Sequence, residues 1–342
     1  MITKYEINHS MERLVFVDQL KGFAIFLVII GHVYNFSLVP SFSYVPTFIS
    51  MIHMPVFMFI AGYMFHRKDD SLKVIAYFYS MCRKFQRIMF PFISFTIIVC
   101  VLRDWNYCDL LMNEMKYGYW FLLTLFMFYL VYYPFLYLSM LSKYIELLVY
   151  LILSVLLILL CKYIFSGGVK SLLSLDLFAQ YSFPFLIGMW LNKYRIELKI
   201  LQNERKNILY TILITLFLIA FYLFVQVEYG SFIATVQSFG LRFVMIGISG
   251  FICWIFFGNM NLTNKLGSCL SWLGMNSLPI YVLHYFFLPG SIFSEGYVNS
   301  IDGIILLAIS VLVSLLTLSL TVILYKVVSY SSFIKRYLFG NM

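Results

Sequence analysis

The sequence predicts an all-α, polytopic transmembrane helix bundle of about ten spans, with both termini cytoplasmic. Three observations carry that prediction. Of the 342 residues, 62% are hydrophobic and only 11% are charged, a balance foreign to water-soluble domains, so lipid is the solvent for most of the chain. The apolar residues gather into runs of the length that crosses a hydrocarbon core, ~20 helical residues each. Lysine and arginine are distributed unevenly between alternate loops.

Hydropathy places the spans at 14–34, 47–66, 88–103, 118–139, 145–165, 178–192, 207–226, 240–257, 275–290 and 301–326. The first run lacks a small-residue cleavage site and further spans follow it, so it reads as a membrane helix and not a signal peptide. Pro55 falls near the start of the second span, where a missing amide donor costs little. Pro184 and Pro279 lie in the short sixth and ninth spans and are expected to bend them.

Between the spans, Lys4, Arg13, Lys21, Arg67, Lys68, Lys73, Arg83, Lys84, Arg87, Lys143, Lys193, Arg195, Lys199, Arg205, Lys206, Lys265, Lys326, Lys335 and Arg336 fall on one side. Only Arg103, Lys116, Lys162, Lys170 and Arg242 fall on the other. The richer side is cytoplasmic, which requires an even number of spans. The same partition accounts for the net charge of +9 without nucleic acid as a partner. Short loops and the absence of a repeat imply one membrane domain over 1–342, with a cytoplasmic segment at 1–13 and no soluble domain appended. The cysteines (Cys82, Cys100, Cys108, Cys161, Cys253, Cys269) lack metal-type spacing, so they read as packing residues; neither a disulfide framework nor a metal site is expected.

Polar groups inside the apolar runs are the functional signal, because an ionisable side chain at that depth is costly unless it meets a partner or a wet cavity. Asp18, Lys21 and His32 share the first span. On a regular helix the step from Lys21 to His32 is about three turns, with a rise of ~16 Å, so the two lie on nearly one line. Asp18, one turn before Lys21, joins that face and can pair with it. The plain alternative is that Asp18 and Lys21 anchor the helix at the interface, with the lysine snorkelling. His53 opens the second span and His284 closes the ninth, which places both near the depth of His32. Ser277 and His284 are two turns apart and share a face, with Tyr281 beside them. Three interfacial histidines that happen to share a depth are the bland counterpart of this reading. His9 and His66 fall outside the spans.

These segments together resemble the acyltransferase 3 family of multi-pass membrane O-acyltransferases. The resemblance rests on Asp18, Lys21, Gly22 and His32, on His53-Met54-Pro55-Val56-Phe57 and Ala61-Gly62-Tyr63, and on Arg87-Ile88-Met89-Phe90-Pro91-Phe92. It continues through Trp120-Phe121-Leu122 and Gly274-Met275-Asn276-Ser277 with Ile280-Tyr281 and His284. Lys21 stands where the family commonly has arginine, and Ala61 where it commonly has serine.

The resemblance implies a transferase with acyl-coenzyme A (acetyl-CoA above all) as donor and no tightly bound cofactor. It implies a carbohydrate acceptor, such as a surface polysaccharide or lipid-linked glycan, and a plasma (bacterial inner) membrane location. His32 is the expected general base, since a neutral imidazole can take a hydroxyl proton at physiological pH. Asp18 and Lys21 complete the expected catalytic set, with Asp18 positioning Lys21. His53, His284, Ser277, Tyr281, Asn276 and Trp120 are expected on the substrate side, orienting the acceptor or hydrogen-bonding the oxyanion. An acyl-histidine intermediate is the covalent variant. Arg83 and Arg87, with Lys21, are expected to hold the donor's phosphates; contact with anionic headgroups is the competing role for the two arginines, and packing in the interface belt the competing role for Trp120. A proton-coupled transporter or exporter of a polar or glycolipid substrate is the rival function, since intramembrane His, Asp and Lys also build proton relays.

Overall fold

Lipid offers no hydrogen-bond partners, so each segment of a membrane chain has to pair its own backbone groups. The computed structural model describes residues 15–40, 43–65, 74–133, 142–165, 167–194, 206–227, 231–260, 262–331 and 338–339, and among them every regular element is a helix. Expectations that fall on 1–13, His9, His66, Arg67, Lys68, Lys73, Arg195, Lys199, Arg205, Lys335 and Arg336 lie outside the described residues.

Helix α1 (Val15–Val33) runs on into a π-helical turn, Tyr34–Leu38. The second span is broken into α2 (Tyr44–Ser50) and α3 (His53–Tyr63), and Pro55 sits in the first turn of α3, where its missing amide is harmless. Helix α4 (Val74–Arg103) joins the expected span and the basic stretch before it into one rod. Its 30 residues reach about 45 Å, more than a bilayer core requires, and Arg83 and Arg87 lie in its first half. Then follow α5 (Tyr107–Met112), α6 (Trp120–Val131), α7 (Lys143–Tyr163), α8 (Gly168–Leu172) and α9 (Leu175–Tyr194). Helices α10 (Lys206–Val225), α11 (Phe232–Asn259), α12 (Lys265–Met275), α13 (Ser277–Leu283), α14 (Glu295–Ser300) and α15 (Gly303–Val328) complete the order.

Among the described residues seven helices are long and apolar enough to cross a membrane, and α12 with α13, bent by 69°, would make an eighth span. The sequence reading expects ten. The remaining two are α6, whose 12 residues extend only about 18 Å, and α9, long enough but diluted by Asp176, Gln180, Asn192 and Lys193. The expected continuation of α6 over 134–139 lies outside the described residues.

Two crossings of bare backbone lock the centre. A methyl group added at Gly22 of α1 would overlap the Leu270 carbonyl of α12, and one added at Gly274 would overlap the Asp18 carbonyl of α1. Helices α3 and α9 repeat the device with Gly62 against Phe185 and Gly188 against Phe59. Small residues let helix axes approach closely where lipid supplies no hydrophobic drive for association. Between α7 and α9, the buried Glu146 carboxylate accepts from Lys193 Nζ at 2.9 Å on each oxygen and from the Tyr150 and Tyr194 hydroxyls. That pairing satisfies a charge which would otherwise be prohibitive inside the bundle.

Gly22→Ala and Gly274→Ala are each expected to destabilise the protein by roughly 1–3 kcal/mol, the usual range for overpacking. Gly240, where an added methyl meets nothing within 4 Å, is the control. Thermal midpoints in detergent check this: equal midpoints for all three alanine variants would show that the crossing tolerates a side chain.

Candidate active site

The end of α1 is held by two features. Its helical turn widens to π at Tyr34–Leu38 just after His32, a distortion common at functional sites. Ser37 donates its hydroxyl to the Pro289 carbonyl at 2.7 Å, and the Ser37 carbonyl accepts from the Ile292 amide at 2.8 Å. The segment after His284 is thereby tied to the segment after His32.

Between these anchors the two imidazoles meet. His32 Nδ1 lies 2.8 Å from His284 Nε2, with the rings stacked at 18°. His284 Nδ1 lies 3.2 Å from the Ile280 carbonyl. A carbonyl only accepts, so His284 Nδ1 carries a proton and donates it. A neutral His284 then accepts at Nε2, and His32 must donate from Nδ1. The lone pair of His32 is left on Nε2, where the Tyr285 hydroxyl stands 3.3 Å away. Hydrogen-bond accounting thus assigns the tautomers. His284 is fully buried, whereas His32 is half-buried.

His53 uses the same local device. Its Nδ1 donates to the Ile49 carbonyl at 2.6 Å across the break between α2 and α3, which leaves Nε2 as acceptor. Of the three expected imidazoles, His32 and His284 are in direct contact.

The other expected residues divide. Tyr281 donates its hydroxyl to the Gly118 carbonyl and packs against Phe121. Asn276, at the break between α12 and α13, donates to the Trp272 carbonyl at 2.8 Å and accepts from the Tyr325 hydroxyl at 2.9 Å. Ser277 starts α13, two turns from His284, or about 10 Å along the axis. Trp120 is buried and stacked on Tyr181, with centroids 5.2 Å apart, so it lines the core and not a lipid-facing belt. Lys21 Nζ stands 3.6 Å from Asp18 Oδ1. Arg83 and Arg87 are exposed on α4, the former over the Tyr79 ring at 4.6 Å.

Three contributors were not singled out in the sequence: Tyr285, Gly118 and Lys116. Residues Lys116, Tyr117 and Gly118 all have left-handed backbones, with φ of 47°, 48° and 107°. Such strain persists only where the surroundings over-determine it. Lys116 supplies that restraint, being fully buried and donating Nζ to the Asn113 and Ser171 carbonyls at 2.8 and 2.5 Å. Ser174 adds a hydroxyl to the Glu114 carbonyl at 2.7 Å. From the secured loop, Gly118 receives Tyr281, and Tyr119 donates to the Val282 carbonyl at 3.2 Å. The loop fixes α13, and α13 fixes His284.

A family model described as an acyltransferase domain matches residues 14–326, nearly the whole chain. No curated protein and no solved structure matches.

Burial pushes the Lys116 ammonium down from its ordinary 10.5 to about 8, with Glu114 pulling weakly the other way. The folded protein then gives up this proton more readily than the unfolded chain, so stability rises with pH between about 8 and 10.5. Thermal midpoints of the wild type relative to Lys116→Met are expected to climb across that window. A difference that stays flat there would contradict a buried ammonium.

Proposed function

The chain belongs to the acyltransferase 3 family of membrane proteins, and on that premise we propose that it moves an acyl group from cytoplasmic acyl-coenzyme A to a carbohydrate hydroxyl. The acyl group is acetyl in the simplest case. The acceptor is an extracytoplasmic or membrane-linked glycan, and the enzyme works in the plasma membrane, the inner membrane of a bacterium. The observation that carries the reading is the chain from the Ile280 carbonyl through His284 to His32. It leaves one basic nitrogen, Nε2 of His32, facing away from its helical supports.

In the proposed reaction the acceptor hydroxyl takes a place beside Nε2. Its oxygen bonds to the thioester carbonyl carbon as the proton passes to the imidazole. The C–S bond then breaks, and the imidazolium returns the proton to the departing thiolate. Ester and free thiol leave, and His32 is neutral again. His284 positions His32 in the basic tautomer, much as a carboxylate orients a catalytic histidine in other enzymes. Tyr285 is the hydroxyl placed to hydrogen-bond the oxyanion, because Tyr281 is committed to Gly118 and Ser277 lies two turns away. His53, with Nε2 free to accept, is assigned to the acceptor sugar.

The donor is placed along α1. Lys21, held by Asp18, marks the cytoplasmic level and His32 the reactive one, ~16 Å apart, a separation that suits a pantetheine arm. Arg83 and Arg87, exposed on the first half of α4, are assigned to its phosphates.

The test is the O-acyl content of the host's surface glycan, by mass spectrometry, with the gene deleted and restored. Restoring the wild type should return the ester groups, and His32→Ala should cut transfer by about 10²–10⁴-fold, the span of general-base contributions. His284→Ala should cost a comparable factor while leaving the fold intact. Near-normal acylation by a stable His32→Ala protein would remove the imidazole from the mechanism.

A further inference from the structure

A cavity of about 510 Å³ opens at the C-terminal end of α1, and its size falls in the range of small-molecule sites. Asn35 lines it and follows His32 by three residues, so the cavity begins roughly one helical turn along the chain from His32. Its other walls come from α2, including Tyr44 and Thr47, and from the end of α10 and the middle of α11, with Phe224 and Arg242.

The chemistry of the lining is selective. Arg242 is the single charged side chain among the lining residues. Its guanidinium lies over the Phe224 ring, 4.8 Å from the centroid, which fixes its plane. No described carboxylate forms a salt bridge with it. Planar guanidinium groups match carboxylate and phosphate oxygens bidentately. Around it, Asn35, Ser43, Thr47 and Tyr44 offer amide and hydroxyl partners, the groups that pair with sugar hydroxyls. A bare headgroup would need the arginine alone; the neutral polar ring is complementary to a saccharide.

We infer that this cavity is the acceptor site and that it takes a saccharide bearing an anionic group, a carboxylate or a phosphate ester, which Arg242 holds. The inference rests on the acyl-transfer reading for the identity of the cavity's guest. Its test measures binding without coenzyme A, so that failure of one is separable from failure of the other.

The protein is placed in phosphatidylcholine nanodiscs and examined by saturation-transfer NMR with methyl β-D-glucuronide, glucose 1-phosphate and methyl β-D-glucoside. One or both anionic probes should give a signal at least fivefold above the neutral glucoside, and Arg242→Gln should bring it down to the glucoside level. The two anionic arms tell carboxylate from phosphate. Equal signals from all three sugars, or an anionic preference that survives Arg242→Gln, would overturn the inference. So would loss of the preference when phosphatidylglycerol is added, since Arg242 would then serve a lipid headgroup.

Discussion

A backbone carbonyl carries two lone pairs, so one that already accepts an amide inside lipid can hold a side-chain donor in a fixed direction as well. Two of the three membrane imidazoles are held this way. His53 donates to Ile49 where α2 breaks, and His284 donates to Ile280 where α13 ends. In each case the side chain reaches back four residues along its own backbone, to a carbonyl that also accepts an amide, from Ile52 and from His284 itself, so the ring is oriented by an acceptor that exists in the folded protein whatever the substrate. The helix breaks are therefore not defects that the site tolerates. They supply the fixed acceptors from which the proton positions of the whole imidazole chain follow.

The chain's chemistry also depends on how near two backbones come. Gly22 follows Lys21 directly, and Gly274 precedes Asn276 by two residues. Because these glycines face one another's carbonyls, α1 and α12 are fixed in register at the end of α1 opposite His32. At the other end the Ser37 bonds to Pro289 and Ile292 close the same pair of segments. His32 and His284 are thus brought to 2.8 Å by constraints on both sides of them. Motif glycines and motif histidines belong to one mechanical unit.

The sequence was most legible where a helix stays regular. The stripe from Asp18 through Lys21 to His32 survives because α1 is unbroken over that stretch, and the Asp18–Lys21 pair forms as the spacing requires. Legibility failed at the breaks. The expected ninth span is bent by 69° just before Ser277, where Asn276 accepts from the Tyr325 hydroxyl, a partner distant in the sequence. Tyr285 was hidden among 27 tyrosines, with no spacing to single it out. Lys116 looked like an ordinary loop charge, since nothing in its neighbours announces three successive left-handed residues. Span counting had the same limit: α6 and α9 owe their places to packing against α3, α4 and α7 more than to hydropathy.

The strained loop at Lys116–Gly118 shows why a distant lysine matters to an imidazole. A left-handed backbone at Lys116 and Tyr117 is disfavoured locally by about 1–3 kcal/mol for each residue, and the chain would relax if the surroundings allowed it. Relaxation would withdraw the Gly118 carbonyl from Tyr281 and free the start of the last turn of α13. The Ile280 carbonyl would then shift under His284, and the lone pair on His32 would lose its fixed direction. A base needs that direction held to within a few tenths of an ångström while the acceptor arrives. Burying the lysine among carbonyls, at the expense of its solvation, keeps the loop closed and with it the geometry two steps away.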